Sequence, residues 1–332
     1  MPADGDAPTR SGLPGWRVLL ALGATYASFG SGPAGAKAAL DTLPPLALVG
    51  IRGVVAGAVL VAWSLAAGAA RPTARQWLAC SGIGVLILGL GAGGGTVGQQ
   101  TVPSGVAGVL SALLPIFAAL LGYLLFREKP PRRALAGLLV GVAGLGLLLR
   151  PGSNLDLFGI ALLVAGQFAW ALGAELAPRA GLPEDPRLAA GAELLCGGAA
   201  LLAAAALGGE FARLHPASVS LQSWLGLGWL VGTAVVGFTA FGFLSRTVPP
   251  AVATTFSYVN PVVAMALGWL LFAEPITPRM ALATAVVVAG VWLIVSAKSE
   301  APARTRHPLV SGHGGRPATR GAAAGSAPLP GR

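Results

Sequence analysis

Two charged residues, Arg52 and Glu193, lie near the middle of long apolar stretches of the sequence. A charge in the middle of a membrane helix costs about 2.5 to 3.5 kcal/mol on insertion scales, so such residues usually serve a function. Opposite charges that lie close together stabilise each other's ionised form. We therefore predict that Arg52 and Glu193, one from each half of the chain, act together in coupling or gating. A purely structural ion pair is the alternative. Proton coupling through Glu193 also stays open.

A second group consists of polar and aromatic residues inside apolar stretches, namely Tyr26, Gln99, Gln167, Trp170, Tyr258 and Asn260. Lipid cannot satisfy a polar group at that depth, so these side chains should face the interior of a helix bundle. For each of them, a local hydrogen bond between helices is the alternative. Together they predict a substrate cavity of aromatic rings and amides, which suits a small zwitterionic or aromatic molecule better than a bare ion.

Two prolines, Pro115 and Pro261, are expected in the middle of apolar helices. A proline there removes a backbone donor and frees a carbonyl group. The residues are predicted to act in coupling or gating, as hinges or as a source of cavity-lining carbonyls. A tolerated kink is the alternative, and Asn260 directly before Pro261 favours the functional interpretation on that side.

The sequence offers little that could carry catalysis. Its three histidines lack metal-site spacing, and its two cysteines lie in apolar stretches, where a free cysteine behaves as a small hydrophobic residue. The glycines of residues 89–94 fit GxGxxG, but no strand precedes them, so close helix packing through Gly91 and Gly95 is the better interpretation. We predict no metal, no cofactor and no catalytic residue, and therefore no enzyme.

Two glutamates, Glu128 and Glu274, follow apolar stretches and precede new ones. A carboxylate is stabilised near a helix N-terminus by the helix dipole. We predict that both are structural caps, with proton coupling as the alternative.

The composition places these residues in a membrane protein. The 332-residue chain is 55% hydrophobic and only 10% charged, whereas soluble domains average roughly 25% charged residues. A membrane span needs about 20 apolar residues. We predict an all-α integral membrane protein with ten transmembrane helices at about 17–39, 43–69, 76–99, 103–126, 132–150, 157–178, 186–208, 221–244, 250–272 and 279–297.

An internal repeat divides this series of helices. Residues 102–149 align without gaps onto residues 248–295 at an offset of 146, with 19 identities in 48 positions. The identities include Pro115/Pro261, Gly122/Gly268, Phe126/Phe272, Glu128/Glu274 and Gly144/Gly290. A weaker match at an offset of 142 carries Tyr26, Ala27 and Lys37 onto Phe168, Ala169 and Arg179. The chain therefore consists of two related halves.

Five spans in each half reverse the direction of the second half, so the repeats should be inverted. The predicted units are residues 17–150 and 156–297, flanked by disordered tails at residues 1–16 and 298–332. With the N-terminus inside, eleven Lys and Arg residues lie on the cytoplasmic side before the basic C-terminal tail and four lie outside. This bias predicts that both termini are cytoplasmic. The net charge of +10 is explained in this way without nucleic acid as a partner.

Two stretches have distinctive sequences, TVPSGVAGVLSALLPIFAALLGYLLFREKP at residues 101–130 and PPAVATTFSYVNPVVAMALGWLLFAE at residues 249–274. They resemble the fourth and ninth helices of the EamA-type drug/metabolite transporters, and a diffuse resemblance extends over residues 17–297. It implies ten helices in two EamA repeats, a central substrate cavity, and transport of amino acids, related metabolites or drugs.

We therefore predict a secondary transporter of small organic metabolites in the inner membrane. It would be an exporter or exchanger that works by alternating access, with the lipid bilayer and a small-molecule substrate as its partners. An intramembrane enzyme and a channel-like permease are the alternatives. A homodimeric assembly stays open.

Overall fold

The computed structural model describes residues 15–127, 131–148, 156–248 and 250–300, and every regular element in these ranges is helical. The α-helices are α1 (Gly15–Gly30), α2 (Gly32–Ala39), α3 (Pro45–Ala66), α4 (Ala74–Gly84), α5 (Gly94–Gly98), α6 (Ser104–Ser111), α7 (Leu114–Phe126), α8 (Arg132–Leu148), α9 (Leu157–Leu176), α10 (Pro186–Leu207), α11 (Glu210–Arg213), α12 (Leu221–Thr247), α13 (Pro250–Ala253), α14 (Phe256–Phe272) and α15 (Pro278–Glu300). A π-helix, Val85–Gly93, joins α4 to α5. The predicted tails lie outside these ranges, except for the first two residues of α1 and the last three of α15.

Within the described residues, seven helical stretches are long and apolar enough to cross a membrane: Pro45–Ala66, Ala74–Gly98, Ser104–Phe126, Leu157–Arg179, Pro186–Leu207, Leu221–Thr247 and Pro278–Ser296. The shorter apolar helix α14 accompanies them. Large apolar side chains cover the outside of the bundle, as at Leu139, Leu225 and Leu270. Such a surface is stable in lipid and prone to association in water. The predicted all-α membrane protein is confirmed at this level.

Helices α8 and α15, which the 146-residue repeat relates, pack against each other in opposite directions. A Cβ on Gly137 would lie 2.5 Å from the carbonyl oxygen of Gly290, and one on Gly144 would lie 2.7 Å from the Val287 side chain. Residue numbers that rise along α8 thus meet residue numbers that fall along α15, so the two helices are antiparallel. Small residues let the two backbones approach in this way, which favours van der Waals contact in lipid.

Helices α3 and α10 repeat this antiparallel arrangement in the other part of the bundle. Gly50 lies against Leu202, while Gly57 lies against the backbone of Gly191. The internal repeat therefore also appears in three dimensions, as matched helices that cross in opposite directions.

The glycine-rich stretch after α4 forms the π-helix and packs closely on α9. A Cβ on Gly166 would lie 2.6 Å from the carbonyl oxygen of Gly91, so only glycine fits that contact. The predicted close packing through Gly91 is confirmed. Trp170 touches the same glycine, and the repeat-related Gly237 touches Ser28 in the corresponding manner. π-Helical turns occur frequently at functional sites.

The two prolines differ in their surroundings, which corrects one prediction. Pro115 does not lie in the middle of a helix, because the chain breaks between α6 and α7 and Pro115 occupies the first turn of α7. Proline is tolerated there since that position has no intrahelical partner for a backbone N–H. Pro261 does lie inside α14, as predicted, and removes the donor that would bond the carbonyl of Ser257.

Glu274 caps a helix of the opposite repeat. Its carboxylate accepts hydrogen bonds from the Ser104 backbone N–H at 2.9 Å, the Ser104 hydroxyl at 2.9 Å and the Gly105 N–H at 3.0 Å, all at the start of α6. The predicted structural cap is confirmed for Glu274, although it acts on α6 rather than on the helix that follows it. Glu128 lies outside the described residues.

Two further acidic residues cap the starts of helices. The buried Glu210 carboxylate accepts from the N–H groups of Leu46 and Ala47 at the start of α3. Asp156 caps α9, and the hydroxyl of Thr101 donates to it at 2.5 Å, which together with the backbone N–H groups of α9 lowers the pKa of Asp156. The cap thus stays ionised at neutral pH.

Candidate functional site

A polar cavity of about 300 Å³ opens at one end of the bundle, which we name the Lys37 end. Its lining residues are Lys37, Leu40, Asp41, Gln99, Gln100, Gln222 and Phe272. The buried Gln99 is held by a hydrogen bond from its Nε2 to the carbonyl of Pro33 at 3.4 Å. The Ser220 hydroxyl donates to the Asp41 carboxylate at 2.6 Å. The cavity therefore combines a cation, an anion, three amides and one aromatic ring.

The opposite end of the bundle, the Arg179 end, is packed at the corresponding place. The guanidinium of Arg179 lies over the ring of Phe126, 3.4 Å from the ring centre, and Arg179 also donates to the Glu175 carbonyl at 3.1 Å. Nearby, Arg246 donates to the backbone carbonyl of Glu184 at 2.9 Å. A cation stacked on an aromatic face adds roughly 0.5 to 2 kcal/mol. The first contact joins the ends of α7 and α9, and the second joins the end of α12 to the segment before α10.

The two ends are related by the internal repeat but differ in conformation. The offset of 142 carries Lys37 onto Arg179, and the offset of 146 carries Phe126 onto Phe272. Arg179 and Phe126 are stacked in contact with each other, whereas the repeat-related Lys37 and Phe272 line an open cavity.

The six predicted substrate residues lie in three places. Gln99 lines the polar cavity. Tyr26 lies between α1 and α14, where its hydroxyl is 2.6 Å from the hydroxyl of Thr255. Tyr258 follows on α14, one turn further along, and packs against a core of aliphatic side chains. Asn260 is on the same helix, and its Oδ1 is buried without a hydrogen-bond partner among the described residues.

The remaining two predicted residues, Gln167 and Trp170, are both half-buried on α9. They are three residues apart, and Trp170 touches Gly91 of the π-helix. The described contacts therefore place Tyr26 against the start of α14, the helix that carries Tyr258 and Asn260. They do not bring all six side chains into one described cavity.

Arg52 and Glu193 are not within ion-pair distance of each other in the described part of the chain. Because α3 and α10 are antiparallel, Glu193 lies at the level of Gly57, about 7.5 Å along the helix from Arg52 at 1.5 Å per residue. Glu193 borders a small cavity together with Gly84 and Phe238. The Nε of Arg52 is buried and has no hydrogen-bond partner among the described residues. Unpaired buried polar atoms are rare and call for an explanation.

Six lining residues of the polar cavity were not predicted from the sequence as substrate residues: Lys37, Leu40, Asp41, Gln100, Gln222 and Phe272. They stand at helix ends, where polar residues are ordinary, so depth in an apolar stretch could not single them out. The usable signal was the repeat, because it pairs Lys37 with Arg179 and Phe272 with Phe126.

Comparison with known proteins identifies relatives along most of the chain. The sequence model of the EamA-like transporter family matches residues 15–150 and 157–296. YedA of Escherichia coli K12, which carries the name of an uncharacterized inner membrane transporter, is 35% identical over 288 residues, covering 86% of this chain and 92% of YedA. An uncharacterized transporter of Bacillus subtilis, YvbV, is 24% identical over 298 residues, covering 87% of this chain and 94% of YvbV.

A solved structure supports the fold. A crystal structure that is 22% identical in sequence superposes with a TM-score of 0.60, covering 85% of this chain and 98% of that one. At this identity, the likeness concerns the architecture alone.

Proposed function

Because this chain belongs to the EamA-like transporter family, we propose that it is a secondary transporter that moves a small organic metabolite across the inner membrane by alternating access. The observation that carries the proposal is the contrast between the two ends of the bundle. A polar cavity opens at the Lys37 end, while the repeat-related residues at the Arg179 end are stacked. A carrier that exposes its site to one side at a time has this form.

The proposal includes ten membrane spans in two inverted repeats. Seven helical stretches qualify by length and composition. The other three would be α1 with α2, interrupted at Ser31, then α8, and α13 with α14, interrupted at residues 254–255. The 17 residues of α8 reach the lower limit for a span. The antiparallel packing of α8 on α15 and of α3 on α10 supports the inverted arrangement.

Both termini would be cytoplasmic, which places the Lys37 end outside and the Arg179 end in the cytoplasm. The support is the excess of Lys and Arg in loops at the Arg179 end. Labelling of single cysteines tests the orientation. A cysteine near Glu210 should react from outside and one near Arg132 from the cytoplasm, and the reverse pattern would contradict the proposal.

The two cation and aromatic pairs would be the gates. In the state described, Arg179 on Phe126 closes the cytoplasmic end, and Lys37 is separated from Phe272 by the cavity. Inverted repeats can exchange conformations, because each half has the sequence to adopt the conformation of the other. In the opposite state Lys37 would pack on Phe272 and Arg179 would leave Phe126. Arg52, Glu193, Pro115 and Pro261 are proposed to take part in this exchange.

Substrate would pass Gln99 at the Lys37 end and contact Tyr26, Gln167, Trp170, Tyr258 and Asn260 deeper in the bundle. The unpartnered Oδ1 of Asn260 supports this path, since it is a buried acceptor that a donor on the substrate could satisfy. Alanine variants of Tyr26, Trp170 and Asn260 should impair uptake more than expression. Unchanged transport kinetics in all three variants would contradict the assignment.

An uptake screen in proteoliposomes tests the function itself. Purified protein is incubated with radiolabelled metabolites, with and without a proton gradient, and initial rates are measured at increasing concentrations. A carrier gives slow, saturable uptake that speeds up when unlabelled substrate is present on the far side. Electrical conductance would indicate a channel-like permease, and chemical conversion of the metabolite would indicate an intramembrane enzyme. Export or exchange as the direction, proton coupling and homodimer formation remain predictions.

A further inference from the structure

We propose that the polar cavity at the Lys37 end is a binding site for a zwitterionic metabolite, in which Lys37 binds the carboxylate and Asp41 binds the ammonium group. The proposal rests on the proposed function for its effect on transport. Binding itself can be measured without transport.

The cavity keeps two opposite charges apart. Lys37 lies in the last turn of α2, Asp41 follows four residues later, and both line the cavity. In the described part of the chain, the two side chains are not within ion-pair distance of each other. Two charges that do not neutralise each other leave a positive and a negative point on one cavity wall. A ligand with both charges complements this pattern, whereas a simple anion or cation meets one repulsive group.

Hydrogen bonds fix the negative point. The hydroxyl of Ser220 donates to Asp41, and the hydroxyl of Ser220 is also 3.2 Å from that of Ser223. Ser223 in turn donates to the Ala39 carbonyl at 2.9 Å. Asp41 is therefore held in position before a ligand arrives, which lowers the entropic cost of binding.

The other lining residues suit a small ligand with polar ends. Gln99 is 7% exposed and anchored to Pro33, so its amide is a fixed part of the wall. Gln100 and Gln222 are exposed at the rim, and Phe272 supplies an apolar surface. A volume of about 300 Å³ is at the lower end of the range for small-molecule sites, so a molecule of few heavy atoms fits.

The repeat does not require this chemistry, which argues against a purely architectural origin. The offset of 146, continued upstream, carries Gln99 onto Ser245 and Gln100 onto Arg246. Arg246 bonds to the Glu184 carbonyl instead. The offset of 142 carries Asp41 onto Pro183. The cation is thus repeated at the other end, and Gln222 is matched by Gln76 at the offset of 146, but the anion and the amides of Gln99 and Gln100 are not repeated.

The test is a binding measurement on the purified full-length protein in lipid nanodiscs, by calorimetry and by thermal shift. The probes are neutral L-amino acids, each compared with its methyl ester, which lacks the carboxylate, and its N-acetyl form, which lacks the ammonium. Charged hydrogen bonds contribute enough that losing either group should weaken binding by about tenfold or more. Binding by none of the amino acids, or equal binding of all three forms, would overturn the proposal.

Two variants assign the charges. In Lys37→Met the amino acid and its methyl ester should bind equally, while the N-acetyl form stays weaker than the methyl ester. In Asp41→Asn the amino acid and its N-acetyl form should bind equally. Lys37→Arg should keep most of the discrimination, and Arg75→Met, an exposed cation at the other end, is the matched control. Ligand-free melting temperatures show whether each variant is folded.

Uptake separates this inference from the proposed function. If amino acids bind with the expected discrimination but are not transported, the function fails and the site stands. If a metabolite is transported and Lys37→Met and Asp41→Asn leave its binding and discrimination unchanged, the site fails and the function stands.

Discussion

Single residues carry strong functional signals in this chain when they are polar and deep. Arg52 and Glu193 interrupt apolar helices, yet the antiparallel packing of α3 on α10 sets them at different levels. Residues that share no contact usually contribute additively to stability, within about 0.5 kcal/mol. We therefore expect Arg52→Ala and Glu193→Ala to have additive effects on thermal stability in the state described.

Transport rate is the second measurement in this double-mutant cycle. If the two charges meet in another state of the transport cycle, the effects on rate will be non-additive while those on stability stay additive. The exchanged variant, with Glu at 52 and Arg at 193, would then recover some activity. Strong coupling in thermal stability would contradict the separation that the structure shows.

Glu274 shows how one residue holds an element of the opposite repeat. It accepts three hydrogen bonds at the start of α6, where Pro103 in the N-cap position offers no side-chain acceptor. Loss of a helix cap costs about 0.5 to 2 kcal/mol. Glu274→Ala should therefore lower the thermal stability by at least this amount, measured by fluorescence-detected unfolding in detergent.

The exposed Glu184 supplies a matched control for that substitution. Its side chain is exposed, and only its backbone carbonyl is used by Arg246. Glu184→Ala should leave the unfolding temperature nearly unchanged. Equal losses in the two variants would mean that the bonds to α6 contribute nothing specific.

At the scale of elements, close glycine contacts hold repeat-related helices together. A Cβ on Gly137 of α8 would lie 2.5 Å from the carbonyl oxygen of Gly290 on α15, a backbone atom that cannot turn away. Overpacking of this kind costs about 1 to 3 kcal/mol. Gly137→Ala should therefore destabilise the protein by this amount in thermal unfolding.

Gly146 on the same helix is the matched control, because a Cβ there would meet nothing within 4 Å. Gly146→Ala should be neutral or stabilise by up to about 1 kcal/mol, since alanine loses less backbone entropy than glycine in a helix. Similar destabilisation in both variants would show that helix entropy or lipid contact, rather than the approach of α8 to α15, decides stability.

The sequence predicted elements better than their irregularities. Apolar length places helices to within a few residues, and α12 and α15 run only three residues past their predicted ends. The break before Pro115 could not be read from periodicity, because Pro261 occupies the matching position of the repeat inside a continuous helix. The helix that Glu274 caps could not be predicted either, because the start of α6 is 170 residues away in the sequence.

At the scale of the whole molecule, the repeat predicted a symmetry, and the structure departs from it at its two ends. Offsets of 142 and 146 relate Lys37 to Arg179 and Phe126 to Phe272, but an offset in the sequence does not encode the conformation of a residue. The polar cavity escaped prediction because it is assembled from the ends of several helices, each unremarkable alone. Tyr26 and Trp170 were predicted as substrate residues because polar and aromatic side chains at that depth should face the interior of the bundle. Their role in transport is a proposal.

Alternating access can be tested by a change at one end that is measured at the other. Spin labels are placed at positions 100 and 222 in a background without Cys80 and Cys196. Pulsed electron paramagnetic resonance then measures the distance between the two labels, which reports the width of the Lys37 end. Arg179→Ala removes the contact with Phe126, and Arg75→Ala is the control at the same end. The account predicts that Arg179→Ala shortens the distance at the Lys37 end by several ångströms, whereas Arg75→Ala leaves it unchanged. An unchanged distance in Arg179→Ala, with the Arg179 end opening alone, would contradict alternating access.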